Sequence, residues 1–373
     1  MNTSYIRRAH LAGSWYDDDP GLLNKQLSKF LADASENKTD VYETESTTDS
    51  ENNGASDNKS AGIPKACISP HAGFQYSGPT AAYSFLALKE ALISNPSLRT
   101  VVVLHPSHHV YLDGCALSGE FSIRYFSHAF FQIIYLISKH LSNDLYLIGA
   151  HEIQTPLRNL QVDDVLREEL LGTGKFSTMS KGVDEREHSG EMQYPFIAKI
   201  IKDLEEQNMS EHDNFEVKVL PIMIGSIKTK SEETFGKLLA PYLSNESIFT
   251  VISTDFCHWG DRFSYTPMPP RNTHEAVNEV YEYIEYLDRK GMDLIALQRP
   301  GAFADYLREH SNTICGRHPI AVWLNSVVAN KESGKQNLDV RFVKYAQSGK
   351  AVSKEDFSVS YASAVARQVS INS

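Results

Sequence analysis

Ile248-Phe249-Thr250-Val251-Ile252 runs straight into Ser253-Thr254-Asp255-Phe256-Cys257-His258-Trp259-Gly260. The first five residues are apolar or β-branched, as in a short buried strand. The residues that follow can ionise, bind metal or donate hydrogen bonds. In α/β sheets, ligands sit at the carboxyl ends of strands. Three other stretches share this form: Ala66-Cys67-Ile68-Ser69-Pro70-His71-Ala72-Gly73, Thr100-Val101-Val102-Val103-Leu104-His105-Pro106-Ser107-His108-His109, and Asn312-Thr313-Ile314-Cys315-Gly316-Arg317-His318-Pro319. The last has the weakest apolar lead-in. The expectation is that four strand ends converge on one site.

Working outward, Asp17-Asp18-Asp19-Pro20 supplies a cap and a first-turn proline for a helix that carries Leu23, Leu27 and Leu31 at helical spacing. Residues 36–62 are almost free of apolar side chains beyond Val41 and Tyr42, and read as a disordered acidic loop. A strand is expected over 65–69, a loop shaped by Gly73, Gly78 and Pro79, a helix over 80–92, and strands over 100–104 and 116–118. Residues 120–153 are rich in Phe, Tyr, Ile and Leu without punctuation. They read as an atypical insertion, an extra helix and strand or a stretch foreign to the mature product. Further on, the spacing predicts helices over 165–171, from Glu185 through Ile201, over 235–242, over 273–286 and from His318. Gly291 is expected to begin a new turn. Strands are expected over 217–223, 340–346 and 358–362. This alternation predicts one α/β domain over residues 1–373, with a mostly parallel central sheet flanked by helices.

Bulk properties remove several function classes. A net charge of -11 argues against nucleic-acid binding, which needs basic stripes. The longest apolar run, Phe130-Phe131-Gln132-Ile133-Ile134-Tyr135-Leu136-Ile137, is too short to span a bilayer. The first residues lack the apolar core of a secretory signal. Four cysteines in 373 residues do not form a disulfide framework. They read as reduced thiols, in the cytosol and also the nucleus.

His71, His108, His258 and Cys315 are nitrogen and sulfur donors suited to iron, copper or zinc rather than magnesium or calcium. His108 and His109 point opposite ways on an extended chain, so only one faces the site. Asp255, three residues before His258, can hold that imidazole in one tautomer. His188 and Glu191 share a helical face and can add acid–base or hydrogen-bonding groups. Cys67, Cys115 and Cys257 read as buried filler. A rival is nucleophilic chemistry at Cys315, with Arg317 and His318 lowering its pKa.

Gly13-Ser14-Trp15-Tyr16, Pro70-His71-Ala72-Gly73, Pro106-Ser107-His108-His109, Glu187-His188-Ser189, Asp255 to Gly260, Cys315-Gly316-Arg317-His318-Pro319 and Tyr345-Ala346-Gln347-Ser348 together resemble the Memo family of motility mediators. The blocks follow family order across nearly the whole chain, with 120–153 and the acidic segment outside them. The resemblance implies a fold like that of class III extradiol nonheme-iron dioxygenases. It implies metal ligands at His71, His108 and Cys315, and a shared pocket with Asp255, His188 and His258. Cys315 stands where a dioxygenase has a carboxylate, which favours copper over hard iron chemistry and argues against oxygen activation on catechols.

Two departures stand out: His105 where the family has Gly, and Gln193-Tyr194 where it often has His-Leu. Three readings follow. One is a copper- or iron-binding protein in redox-linked control of growth, motility or invasion, with His258, Asp255 and His188 as catalytic candidates. Another is a nonheme-metal dioxygenase or related oxidoreductase. The third is a module that takes an acidic or phosphotyrosine peptide from a signalling protein, with Arg317 and Glu191 as binding residues.

Overall fold

A computed structural model describes residues 5–37, 62–122, 146–207, 216–269 and 279–370. Most of the expected acidic loop, residues 123–145 of the expected insertion, and residues 270–278 lie outside the described residues.

The chain begins with β1 (Tyr5–Arg7) and α1 (Pro20–Glu36), whose first turn is closed by the Asp19 side chain accepting from Leu22 N–H. Then come β2 (Pro64–Ser69), α2 (Phe74–Ser94), β3 (Thr100–Pro106), β4 (Cys115–Ser118), β5 (Glu120–Ser122), β6 (Tyr146–Ile148), β7 (Ala150–Ile153) and β8 (Leu160–Gln161). Next are α3 (Asp164–Gly172), β9 (Phe176–Met179), α4 (Lys181–Arg186), α5 (His188–Glu191), α6 (Tyr194–Glu206), β10 (Lys218–Ile224), α7 (Thr229–Leu243), β11 (Ile248–Ser253) and β12 (His258–Trp259). The chain closes with α8 (Val280–Ala296), α9 (Pro300–His310), α10 (Arg317–Glu332), β13 (Leu338–Gln347) and β14 (Ser358–Gln368).

The main sheet runs β12-β14-β2-β11-β3-β10-β4-β9, with β13 also on β14. Its heart, β2-β11-β3-β10, is parallel, and every residue of β2, β11 and β3 is buried. The edges are mixed: β14 runs antiparallel to β2, and β4 antiparallel to β10. Helix α2 lies on β2 and β14, while α10 lies on β11 and β3 and packs along α7. The α/β class with a mostly parallel central sheet is therefore observed. No helix among the described residues is long and apolar enough to cross a membrane.

Several local expectations are corrected. Gly78 and Pro79 lie inside α2 rather than in a loop, because Gly78 lets the Phe30 ring of α1 come to 2.5 Å from where a Cβ would stand. Gly291 sits inside α8, where the Tyr306 ring of α9 rests against it. The expected helix from Glu185 to Ile201 is three helices. Glu187 adopts an extended backbone between α4 and α5, and Pro195 starts α6 afresh. The stretch before Cys315 is not a strand but a helix-to-helix connection. It begins at Ser311, whose left-handed backbone (φ 52°) ends α9.

The α7–α10 contact depends on Gly236. A Cβ there would come within 2.4 Å of Asn325 Cβ and 2.7 Å of the Val322 carbonyl. Gly236→Ala should lower stability by about 1–3 kcal/mol in urea titration, because the helices must move apart. Gly301→Ala, where a Cβ meets nothing within 4 Å in α9, should instead be neutral or raise stability by up to about 1 kcal/mol.

Candidate metal centre

Strand register builds the site. Ser253 of β11 pairs with Ser69 of β2, and Ile252 with Leu104 of β3, so three chains leave the sheet abreast. His71 lies two residues past Ser69 and is buried. His108 lies two residues past Pro106, its side chain 26% exposed. Cys315 arrives between α9 and α10, half-buried. Ligand atoms of His71, His108 and Cys315 all lie within 4.8 Å of one another. Cys315 Sγ stands 3.2 Å from His71 Nε2.

Hydrogen bonds occupy the Nδ1 nitrogens and leave the Nε2 nitrogens as the remaining ring nitrogens of His71 and His108. Ser253 Oγ donates its only proton to the Ser189 carbonyl at 2.7 Å, and accepts from the Gln193 side-chain amide at 2.9 Å. His71 Nδ1, 2.8 Å from the same hydroxyl, must therefore donate, which leaves Nε2 with a lone pair toward the sulfur. His108 Nδ1 meets the Glu187 carboxylate at 2.8 Å, and His108 N–H donates to the other carboxylate oxygen at 2.7 Å. That too leaves Nε2. A carboxylate behind a ligating imidazole fixes ring orientation and raises ligand basicity.

Without an ion, the charges keep a proton between His108 and the sulfur. Burial pulls the His108 imidazole down, but the Cys315 sulfur and Glu187 outweigh it and hold it up at about 10. Burial alone would push the Cys315 thiol up, yet the His71, His108 and His258 imidazoles outweigh that and hold it well below the usual thiol range. The Asp255 N–H also donates to Sγ at 3.2 Å. Once an ion displaces that proton, a thiolate and two imidazole nitrogens make a donor set that fits a soft or borderline transition-metal ion.

The remaining candidates divide. His188 stacks on the His108 ring at 4.3 Å between centroids, lies edge-on to His71 at 5.4 Å, and is covered by Trp15 at 4.7 Å. Burial first, then the neighbouring imidazoles of His71 and His108, push His188 down to about 3, so it stays neutral. His258, His188, Asp255 and Arg317 all line the same cleft of about 580 Å³. Asp255 does not hold the His258 ring. Its Oδ1 accepts from His71 N–H at 2.8 Å, while Thr254 N–H still pairs with the Ser69 carbonyl of β2. His258 is instead bracketed by Thr313, whose hydroxyl accepts from its N–H at 2.7 Å and donates to its carbonyl at 2.9 Å. Burial pulls the His258 ring down, but the Cys315 sulfur and Asp255 win and raise it.

Glu191 is not in the cleft. It is buried against the Arg7 guanidinium at 2.7 Å, the Leu11 N–H at 2.7 Å and the Tyr16 hydroxyl at 2.9 Å. His188 and Glu191 are the first and last residues of the four-residue helix α5, yet only His188 lines the cleft. His109 stays outside the lining and touches only the edge of His188, at 5.7 Å. Cys67, Cys115 and Cys257 are buried and unpaired, as expected. Sequence reasoning missed Glu187, Ser253 and Thr313. Glu187 sits beside His188 in a quoted motif, and Ser253 ends the strand that decides the fold. Thr313 gave no signal.

The chain matches the model of the family described as "Memo-like protein" over residues 7–124 and 132–365. The match includes most of the 120–153 stretch expected to lie outside it. "Protein MEMO1" from Homo sapiens and from Rattus norvegicus are each 35% identical over 362 residues, covering 97% of both chains. "Protein memo-1 homolog" from Caenorhabditis elegans is 35% identical over 361 residues, covering 97% of this chain and 82% of that one. With a family match from Arg7 to Val365 and relatives aligned over nearly their whole length, this chain belongs to the Memo-like family.

Proposed function

We propose that the chain binds one copper or iron ion through His71, His108 and Cys315, and acts in the redox-linked control of growth and motility that its family resemblance implies. The carrying observation is the convergence of two imidazoles and one acidified thiol from positions up to 244 residues apart. A thiolate tips the set toward copper. When bound, such an ion supplies one-electron chemistry or polarises a ligand's oxygen. Glu187 orients His108, and Ser253 and Asp255 orient His71. His188 and Trp15 cover the ligand cluster on one side. Three unpaired buried thiols are consistent with a reducing compartment, cytoplasmic and nuclear.

A second reading, oxidative catalysis, is favoured by one observation. His258 Nε2 is buried without a hydrogen-bond partner among the described residues, on a ring whose pKa the Cys315 sulfur raises. There it can hold a proton taken from a bound hydroxyl, with Thr313 fixing its backbone.

Elemental analysis decides the first reading. Wild type purified without chelator should carry copper or iron, and His71→Ala and Cys315→Ser should carry far less; equal content in all three would end it. Glu187→Gln should keep the fold and weaken metal affinity roughly 10- to 100-fold in a competition titration. For the second reading, His258→Ala should keep the metal of wild type yet lose any oxygen uptake seen with a catechol probe. Unchanged uptake would remove His258 from the chemistry.

A further inference from the structure

The metal cleft does not end at Arg317. A second cleft of about 550 Å³ shares Thr313, Arg317 and His318 with it. Each volume falls in the range of small-molecule pockets. Phe303, Leu307 and Ala321 give the second cleft an apolar floor, and Lys228, Arg308 and Arg317 stand in its wall against a single carboxylate, Glu232. In a chain of net charge -11, such a cationic wall runs against the average.

Two of these charges are already used. Arg308 is held by Asp305, and Glu232 by His318 Nδ1 at 2.6 Å. Lys228 and Arg317 have no carboxylate partner among the described residues. Among the described residues, the one hydrogen bond of the Arg317 guanidinium is to the Ile314 carbonyl at 3.5 Å, which leaves most of its fork open. His318 Nε2, in the shared wall, is buried with no partner. Helices α7 and α10 also start here, after Lys228 and Gly316, and neither first turn is capped by a side chain. Their positive ends add to the two free cations.

We infer that this second cleft is an oxyanion site, in which Arg317 and Lys228 bind the carboxylate or phosphate of a small molecule whose other end reaches the metal ligands. The bond from Arg317 is charge-assisted and planar, the geometry that carboxylate and phosphate share. The apolar floor takes the body of the molecule. Its approach to His71, His108 and Cys315 rests on the metal reading above; the anion site does not.

Titration calorimetry on chelator-treated protein at low salt tests it, with inorganic phosphate in one arm and succinate in the other. Wild type should bind at least one of them saturably, and the tighter arm names the group. Arg317→Gln should weaken binding roughly tenfold or more, Arg317→Lys less, and Lys228→Gln severalfold. Lys230→Gln, which faces Glu233 on the outside of α7, should change nothing. Thermal melts of each variant separate loss of the site from loss of the fold, and Arg317→Lys remains decisive if Arg317→Gln fails to fold. Binding that persists in Cys315→Ser supports the site even where the metal reading fails. Saturation by neither anion in folded wild type overturns it, as does wild-type affinity in folded Arg317→Gln or Arg317→Lys. Binding seen only with a phosphotyrosine peptide overturns the small-molecule reading.

Discussion

Everything in the cleft depends on the parallel register of β11 between β2 and β3. With Ser253 opposite Ser69, and Ile252 opposite Ile68 on one side and Leu104 on the other, the chains leave the sheet level with each other. A one-residue slip would turn every side chain to the other face. Here such a slip is opposed by three strands whose residues are all buried. The ligand cluster thus inherits its precision from apolar packing rather than from bonds among the ligands. Polar groups then refine it. One hydroxyl, Ser253, takes protons from His71 and Gln193 and gives its own to Ser189, so a single side chain ties β11 to the ends of β2 and α5.

A second layer stands behind this frame. Glu187 accepts from His108 and from the backbone and hydroxyl of Ser189, so it stays ionised in a buried place. Burial opposes its charge, but the His108 hydrogen bond and the nearby imidazoles outweigh that and hold its pKa far below the ordinary range. Arg7, 1% exposed, does the corresponding work one step further out. It spans Asp184, Glu191 and the backbone carbonyls of Asp184 and Glu187. The loop that carries Glu187 is thereby clamped from the first strand.

The parts legible in the sequence were those with strong local signals. Unbroken apolar runs gave β2, β3 and β11, and polar residues at their ends gave His71 and His108. Cys315 came from its flanking motif, although its setting, a connection between two helices, was misread as a strand end. What failed was inference from spacing along the chain. Asp255 and His258 are three apart, yet no helix forms between them and Asp255 meets the His71 amide. His188 and Glu191 are three apart on one short helix, yet Arg7, Leu11 and Tyr16 hold Glu191 away and only His188 reaches the cleft. Thr313 brackets His258 across 55 residues, a contact that no local pattern encodes.

The sheet order carries a consequence for assembly in time. β14, close to the chain's end, lies between β12 and β2 rather than at an edge, and Cys315 meets a histidine 244 residues before it. Contacts this distant in sequence close late, since the entropy of long loops must be overcome first. A growing chain on the ribosome therefore has His71 and His108 in hand long before it has their sulfur partner. On the proposed reading, an ion would be taken up as a late step, by a polypeptide in which the connection carrying Cys315 has already folded against β2 and β11.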